Sequence, residues 1–171
     1  TARGTKKLLD GTAGAVANVT SPSNVGSIYI GGTFGGDSVV SGPIQIQKSV
    51  QATKAQTTLG QTFATANTIV STQGSFVING YSFTTNGTET VASLSARINE
   101  MSAQTGVVAA VVPSGGNVAI QLTATEYGSQ FPVNYFDPSN ILHTAASATA
   151  TGIDGQFNVT LDTGDGSKTV L

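Results

Sequence analysis

Between residues 75 and 112, SFVINGYSFTTNGTETVASLSARINEMSAQTGVVAAVV, the spacing of apolar positions changes twice. Phe76 and Ile78 alternate with Val77 and Asn79, and a period of two places them on one face of a strand. Asn79-Gly80 supplies the positive-φ pair of a tight hairpin turn, and Tyr81-Ser82-Phe83 leads out as the second strand. Asn86-Gly87 makes another turn. Thr88 then stands where a helix cap accepts from the first-turn N–H groups, with Glu89 at the end of the helix dipole that favours negative charge. Val91, Leu94, Ile98 and Met101 follow at spacings of three, four and three, which is one apolar stripe. The spacing predicts a helix over about residues 89–105, with Arg97, Asn99 and Glu100 facing away and Gly106 ending it.

The alternation then returns. Residues 107–112 form a continuous apolar run, Ser114-Gly115-Gly116 turns, and NVAIQLTATEYG alternates again. Two strands, a helix across them and two more strands make a compact α+β motif rather than a parallel βαβ unit. Upstream, Ile44 and Ile46 alternate with Gln45 and Gln47, and NVGSIYIGG and DSVVSG read as short strands punctuated by glycine. Residues 51–70 are read as short strands because their Thr content and Gly60 oppose a helix. Downstream, QFPVNYFDPSNILH carries Phe131, Tyr135, Phe136, Ile141 and Leu142 and is expected to close the motif as a strand and loop. TAASATATG reads as a joint of small residues, and QFNVTLDTGDGSKTVL as a fresh hairpin around Gly164-Asp165-Gly166. The predicted fold class is α+β and β-rich, with short antiparallel strands and one main helix packed on a small sheet. The predicted divisions are 1–15, 16–70, 71–143 for the motif, and 144–171 for the start of a further hairpin domain.

Composition narrows the function classes. Only 9% of the 171 residues are charged and the net charge is -2, so Ser, Thr, Asn and Gln must cover the surface. The seven Lys and Arg are scattered apart from Lys6-Lys7, which argues against a nucleic-acid partner, since displacing phosphate counterions needs clustered cations. The absence of Cys excludes a disulfide framework and thiolate metal sites. No apolar run approaches the roughly 20 residues of a membrane helix, and no secretory signal opens the chain. Thr1 begins without Met and Leu171 ends inside strand-like text, so a piece of a longer chain is expected.

Candidate chemistry is sparse. His143 is the only histidine, and no Ser-His-Asp or Cys-His arrangement assembles around it. Asp162-Thr163-Gly164-Asp165-Gly166 lacks the alternating acidic ligands and distal Glu of a calcium loop and reads as a hairpin turn. The pairs Gly31-Gly32 and Gly35-Gly36 have no following Lys to make a phosphate cradle and read as turns. Glu89, Glu100 and Glu126 are the carboxylates from which a glycosidase pair would have to be drawn. Asn18, Asn86 and Asn158 open Asn-X-Thr sequons, about as many as so Thr-rich a chain gives by chance. No catalytic, cofactor-binding or metal-binding residue is assigned from the sequence.

The stretch from Phe76 to Ser129 resembles the IN motif of the bacterial flagellin family, through Ile78-Asn79-Gly80, Ile98-Asn99, Gly106-Val107, Leu122-Thr123 and Tyr127-Gly128. The motif also occurs in hook-filament junction and filament cap proteins. GTKKLLDGTAG, with IYIGGTFGG downstream, is similar to the part of flagellin that leaves the core helices for the outer domains. The long core-forming helical segments of that family are missing here. The resemblance implies an outer, surface-exposed structural fragment of a filament protein that supports motility and has no enzymatic activity or cofactor. Residues 1–15 would be the remnant of the core-to-outer connection and 16–70 a β-rich outer segment.

It further implies export by the flagellar type III route to the extracellular flagellum, without a cleaved signal peptide. Partners of the intact protein would be other flagellin subunits, the export apparatus and its chaperone, with neither nucleic acid nor membrane. The fragment itself is expected to be a soluble monomer. The alternative is an adhesin-like or carbohydrate-binding β-rich module in which Tyr29, Phe34, Tyr135 and Phe136 present a sugar-stacking face.

Overall fold

The computed structural model describes residues 17–18, 33–34, 37–38, 44–162 and 167–170. The expected connection over residues 1–15, the strand and glycine pairs of residues 25–36 other than 33–34, and the turn at 163–166 lie outside the described residues. The strands are β1 (Ala17–Asn18), β2 (Thr33–Phe34), β3 (Asp37–Ser38), β4 (Ile44–Val50), β5 (Lys54–Thr58), β6 (Gly74–Ile78) and β7 (Tyr81–Thr85). After helices α1 (Val91–Glu100) and α2 (Ser102–Thr105) come β8 (Val107–Ser114), β9 (Asn117–Tyr127), β10 (Val133–Phe136), β11 (Ser147–Ala150), β12 (Gln156–Asp162) and β13 (Ser167–Val170). The architecture is α+β and β-rich, with short antiparallel strands and one main helix, as the alternating patterns predict.

The chain divides into two compact units, one of them Ala52–Asp154 and the other joining strands before Gln51 to strands after Gly155. In the latter, β12 pairs antiparallel with β4, Val159 opposite Ile46, and with β13, Val159 opposite Val170. β1 adds to β4 in parallel, Ala17 opposite Ile44, and β2 with β3 forms a separate hairpin. These pairings redraw the expected divisions. The segment after residue 155 returns to residues 44–50 instead of opening a new hairpin domain of its own. The boundaries expected at 70 and 143 fall inside Ala52–Asp154, because β5 pairs with β9 and the small-residue segment 147–150 pairs with β10.

Within Ala52–Asp154 there are two antiparallel sheets, β11-β10-β6-β7 and β5-β9-β8. The first is built on the β6–β7 hairpin, where Asn79 at φ 48° and Gly80 at φ 86° make the two-residue turn. That left-handed pair is cheap only for Asn and Gly, and it matches the twist of the flanking strands. The second carries the β8–β9 hairpin, turned by Gly115-Gly116 and running in register from Val107 opposite Ala124 to Ser114 opposite Asn117. Pro113 sits inside β8, which an edge strand tolerates because its missing N–H need not face a neighbour. Of residues 51–70 only 54–58 form a strand; the rest is loop, tied down by the Phe63–Val118 and Ile69–Thr90 bridges.

Helix α1 buries Val91, Leu94 and Ile98, the stripe read from the spacing, while Met101 is only partly covered. These three belong to one buried core with Phe76, Ile78, Ile120, Leu122, Tyr135 and Leu142, all at most 2% exposed. The Phe76 and Phe83 rings stack with centroids 5.3 Å apart, and Tyr135 lies 5.8 Å from Phe76. The helix departs from the expected 89–105 at both ends. It begins after Thr90, and it is interrupted at Met101, whose N–H donates back to Ile98 O at 3.1 Å and also to Asn99 O, a tighter turn.

Candidate functional site

The two Ile-Asn pairs hold the unit Ala52–Asp154 together. Ile78 and Ile98 are fully buried. Beside Ile78, Asn79 Nδ2 donates to Thr105 O at 2.9 Å and to Pro132 O at 3.1 Å. Its Oδ1 accepts from Asn134 N at 2.8 Å, and its own N–H donates to Asn134 O. One side chain therefore joins a hairpin turn, the end of α2 and the start of β10.

Beside Ile98, Asn99 is exposed, as its place on the helix predicts, but its side chain reaches the neighbouring strand. Its Oδ1 accepts from Ala109 N at 2.7 Å and its Nδ2 donates to Ala109 O at 2.9 Å. Both backbone groups of Ala109 thus point away from β9, into the place where a further strand would pair. Arg97, partly exposed, likewise reaches a sheet edge. Its Nη2 donates to Thr84 O on β7 at 2.7 Å and to Glu89 Oε1 at 2.8 Å. The physical reason is shared: α1 lies between the unpaired edges of β7 and β8, so its flanks meet backbone groups that need partners. Glu100 does face solvent.

The start of α1 has no donor left to offer a ligand. The cap is Thr90 rather than Thr88: Thr90 Oγ1 accepts from Ser93 N at 3.1 Å. Val91 N donates to Thr68 O and Ala92 N to Ala66 O, so the loop at 66–68 satisfies the other first-turn groups. Thr88 is instead held by Asn86, and Glu89 precedes the helix and pairs with Arg97.

A second polar centre escaped the sequence reading. Asp137 is fully buried, and its carboxylate accepts four hydrogen bonds. These come from Tyr135 Oη at 2.8 Å, Ile141 N at 2.9 Å, Leu142 N at 2.8 Å and His143 N at 3.2 Å. Burial, and then the Asp137 charge and hydrogen bond, push the Tyr135 phenol far above its ordinary range. His143, the sequence's lone imidazole, completes this corner: Nδ1 accepts from Gly60 N at 2.7 Å and the ring meets Tyr135 edge-on at 6.3 Å. A carboxylate so enclosed presents no lone pair to a reactant; it pins the 137–143 loop. The one available signal was Asp137-Pro138, a dipeptide that favours turn initiation.

The remaining candidates do not converge. Glu89 is paired with Arg97, whereas Glu100 and Glu126 are exposed. Among the described residues no three of His, Cys, Asp and Glu form a metal-ligand group. The proposed aromatic face does not form as drawn, because Tyr135 is core, while Phe136, on the opposite face of β10, is 51% exposed. Tyr29 and the Phe34 side chain lie outside the described residues. Among the described residues a recess of about 290 Å³ is lined by Asn79, Thr105, Gly106, Gln130, Phe131, Pro132 and Asn134, with Phe131 46% exposed. Asn79 and Thr105 have their polar groups engaged internally, which leaves the Gln130 and Asn134 amides and the Phe131 ring as the groups it offers. Among the described residues no helix is long and apolar enough to cross a membrane. Comparison with known protein families and with characterised proteins finds no match.

Proposed function

We propose that this chain is a surface-exposed structural segment of a flagellin-family filament protein, acting through its shape and not through catalysis. One observation carries the reading. Both Ile-Asn pairs of the resembling stretch do the same paired work, an isoleucine filling the core and an asparagine stapling backbone from distant strands. A motif that specifies architecture, with no reactive group among its matching residues, fits a filament subunit's outer domain. The partners are then neighbouring subunits of the intact protein, together with the export apparatus and chaperone that bring it outside the cell. Hook-filament junction and cap proteins share the motif and differ in position along the filament.

Immunogold electron microscopy of intact flagellated cells, with antibodies raised against this chain, tests the reading. Label along the whole filament is expected. Label only at the filament base or tip would move the assignment to the junction or cap proteins, and label only on the cell envelope would refute it. A second reading, an adhesin-like module for glycans, has one observation in its favour: the recess where the Phe131 ring stands beside the Gln130 and Asn134 amides.

A further inference from the structure

The geometry points to Asn86 as an acceptor of an N-linked sugar in the folded protein, selected from the three sequons by its backbone conformation. This stands apart from the filament reading and rests on different residues. A carboxamide nitrogen is a poor nucleophile because its lone pair is delocalised onto the oxygen. Donors aimed at that oxygen stabilise the form in which charge collects there as the nitrogen loses a proton, the logic of preorganised donors at a developing oxyanion. Asn86 has this arrangement: Thr88 Oγ1 donates to Asn86 Oδ1 at 2.6 Å and Thr88 N donates to it at 3.3 Å. The residue that defines the sequon thus also polarises the acceptor.

The loop holds that shape. Gly87 runs at φ 79°, and a Cβ there would lie 2.6 Å from Ser71 O, so the backbone at Gly87 is closely packed. Gly87 N donates to Thr85 Oγ1 at 3.3 Å, and beyond Thr88 the chain is fixed by the Val70 N–Glu89 O bond of 2.9 Å. Asn86 and Thr88 are nevertheless exposed, so the unused Nδ2 faces solvent, as an acceptor in a surface loop must.

The other sequons are built differently. Asn158 lies within β12, between β4 and β13, and its Oδ1 is buried without a partner. Its extended backbone is committed to the ladder and does not fold back on its own side chain. Asn18 lies on β1, opposite Gln45 of β4.

The transfer balances with a nucleoside-diphosphate hexose as co-substrate. Asn86 Nδ2 attacks the anomeric carbon and forms the C–N bond. The glycosyl C–O bond breaks, its electron pair leaving with the nucleoside diphosphate, and one Nδ2 proton passes to the transferase's base.

The test incubates the full folded chain with a soluble, sequon-reading asparagine glycosyltransferase and UDP-glucose, with the peptide TTNGTET as acceptor control. Peptide mapping then reads the site. One hexose on Asn86 is expected, entering about tenfold faster than in the urea-unfolded chain assayed after dilution, the rate equivalent of about 1.4 kcal/mol. Asn18 and Asn158 should remain unmodified in the folded chain and react once it is unfolded. Thr88→Ser should retain transfer, and Thr88→Ala and Asn86→Gln should lose it. Equal rates at Asn86 in folded and unfolded chain, faster transfer to Asn158 or Asn18, or no transfer to folded Asn86 while the peptide reacts would each overturn the inference.

Discussion

Replacing Asn99 by Ala isolates the clamp between α1 and the edge of β8. The wild-type side chain makes two hydrogen bonds, 2.7 Å from Ala109 N and 2.9 Å to Ala109 O, and Ala109 is only 7% exposed. A typical protein hydrogen bond contributes about 1 kcal/mol net, but a buried group left without its partner costs about 1–3 kcal/mol. Two such groups give about 2–4 kcal/mol after allowing for some water at the edge. Ala is the better helix former by at most about 0.7 kcal/mol, which offsets part of this and does not reverse it. The expected loss is therefore about 2–3 kcal/mol in urea unfolding followed by circular dichroism. For a domain of about 100 residues each kcal/mol moves Tm by about 4–8 °C, so a fall on the order of 10 °C should appear. Glu100→Ala, one residue along and also exposed, should stay within about 0.5 kcal/mol. Amide exchange should also quicken at Ala109 more than at Ala124 or Leu122. If Asn99→Ala is as mild as Glu100→Ala, the clamp is not holding the edge and α1 is retained by its apolar stripe alone.

Other outcomes are set by the same geometry. Leu94→Ala removes a fully buried side chain and should cost about 2–5 kcal/mol, whereas Arg97→Ala loses a half-exposed ion pair and one bond to Thr84 O and should cost about 1 kcal/mol, measured by urea titration. Tyr135 keeps its proton while folded but loses it near pH 10 once unfolded, so the unfolded state binds fewer protons above that pH and stability falls as pH rises past it. Alkaline absorbance titration should therefore show one phenol ionising only together with unfolding, and Tyr135→Phe should abolish that component. Phe131→Ala should leave Tm within about 2 °C, in keeping with surface substitutions. If a glycan array gives saturable binding that this substitution removes, the adhesin-like reading prevails.

How much was legible depended on whether local chemistry or a distant strand decided the outcome. The β6–β7 and β8–β9 hairpins were readable because Asn79-Gly80 and Gly115-Gly116 fix the turns, and the α1 stripe because three of its four residues have no exposure to spare. Residues 147–150 were not readable as a strand. Ser-Ala-Thr-Ala carries no strong pattern, and its pairing comes from β10, where Tyr135 lies opposite Ala148. The cap lies two residues beyond its expected place because Thr88 and Thr90 look alike to a local rule; the difference between them is Asn86 taking the first and the loop at 66–68 meeting the second. The aromatic face failed for a matter of phase. In Val133-Asn134-Tyr135-Phe136 neighbours alternate across β10, so Tyr135 and Phe136 cannot share a surface, and only the register with β6 says which goes inward.

Asn99 and Arg97 point to a constraint that composition imposes on the fold. Proteins commonly guard exposed sheet edges with Lys and other charges, which cannot be buried by a docking strand. This chain has seven Lys and Arg and nine Asp and Glu in 171 residues, and neither β7, YSFTT, nor β8, VVAAVVPS, carries one. Unguarded, both are uncharged templates for another strand. The unit Ala52–Asp154 answers by pairing off its edges. β5 and β11 lie beside each other and are tied by the Thr53–Ile153 bridge, while α1 is placed between β7 and β8 and reaches each with a side chain. An amide and a guanidinium on one helix thus do the work that a row of surface charges does elsewhere. The arrangement makes solubility depend on α1 staying docked: local opening of the helix uncovers both edges at once, together with Val91, Leu94 and Ile98. For a segment crowded beside copies of itself on a filament, as proposed here, closed edges are what would keep neighbouring subunits from zipping together strand to strand.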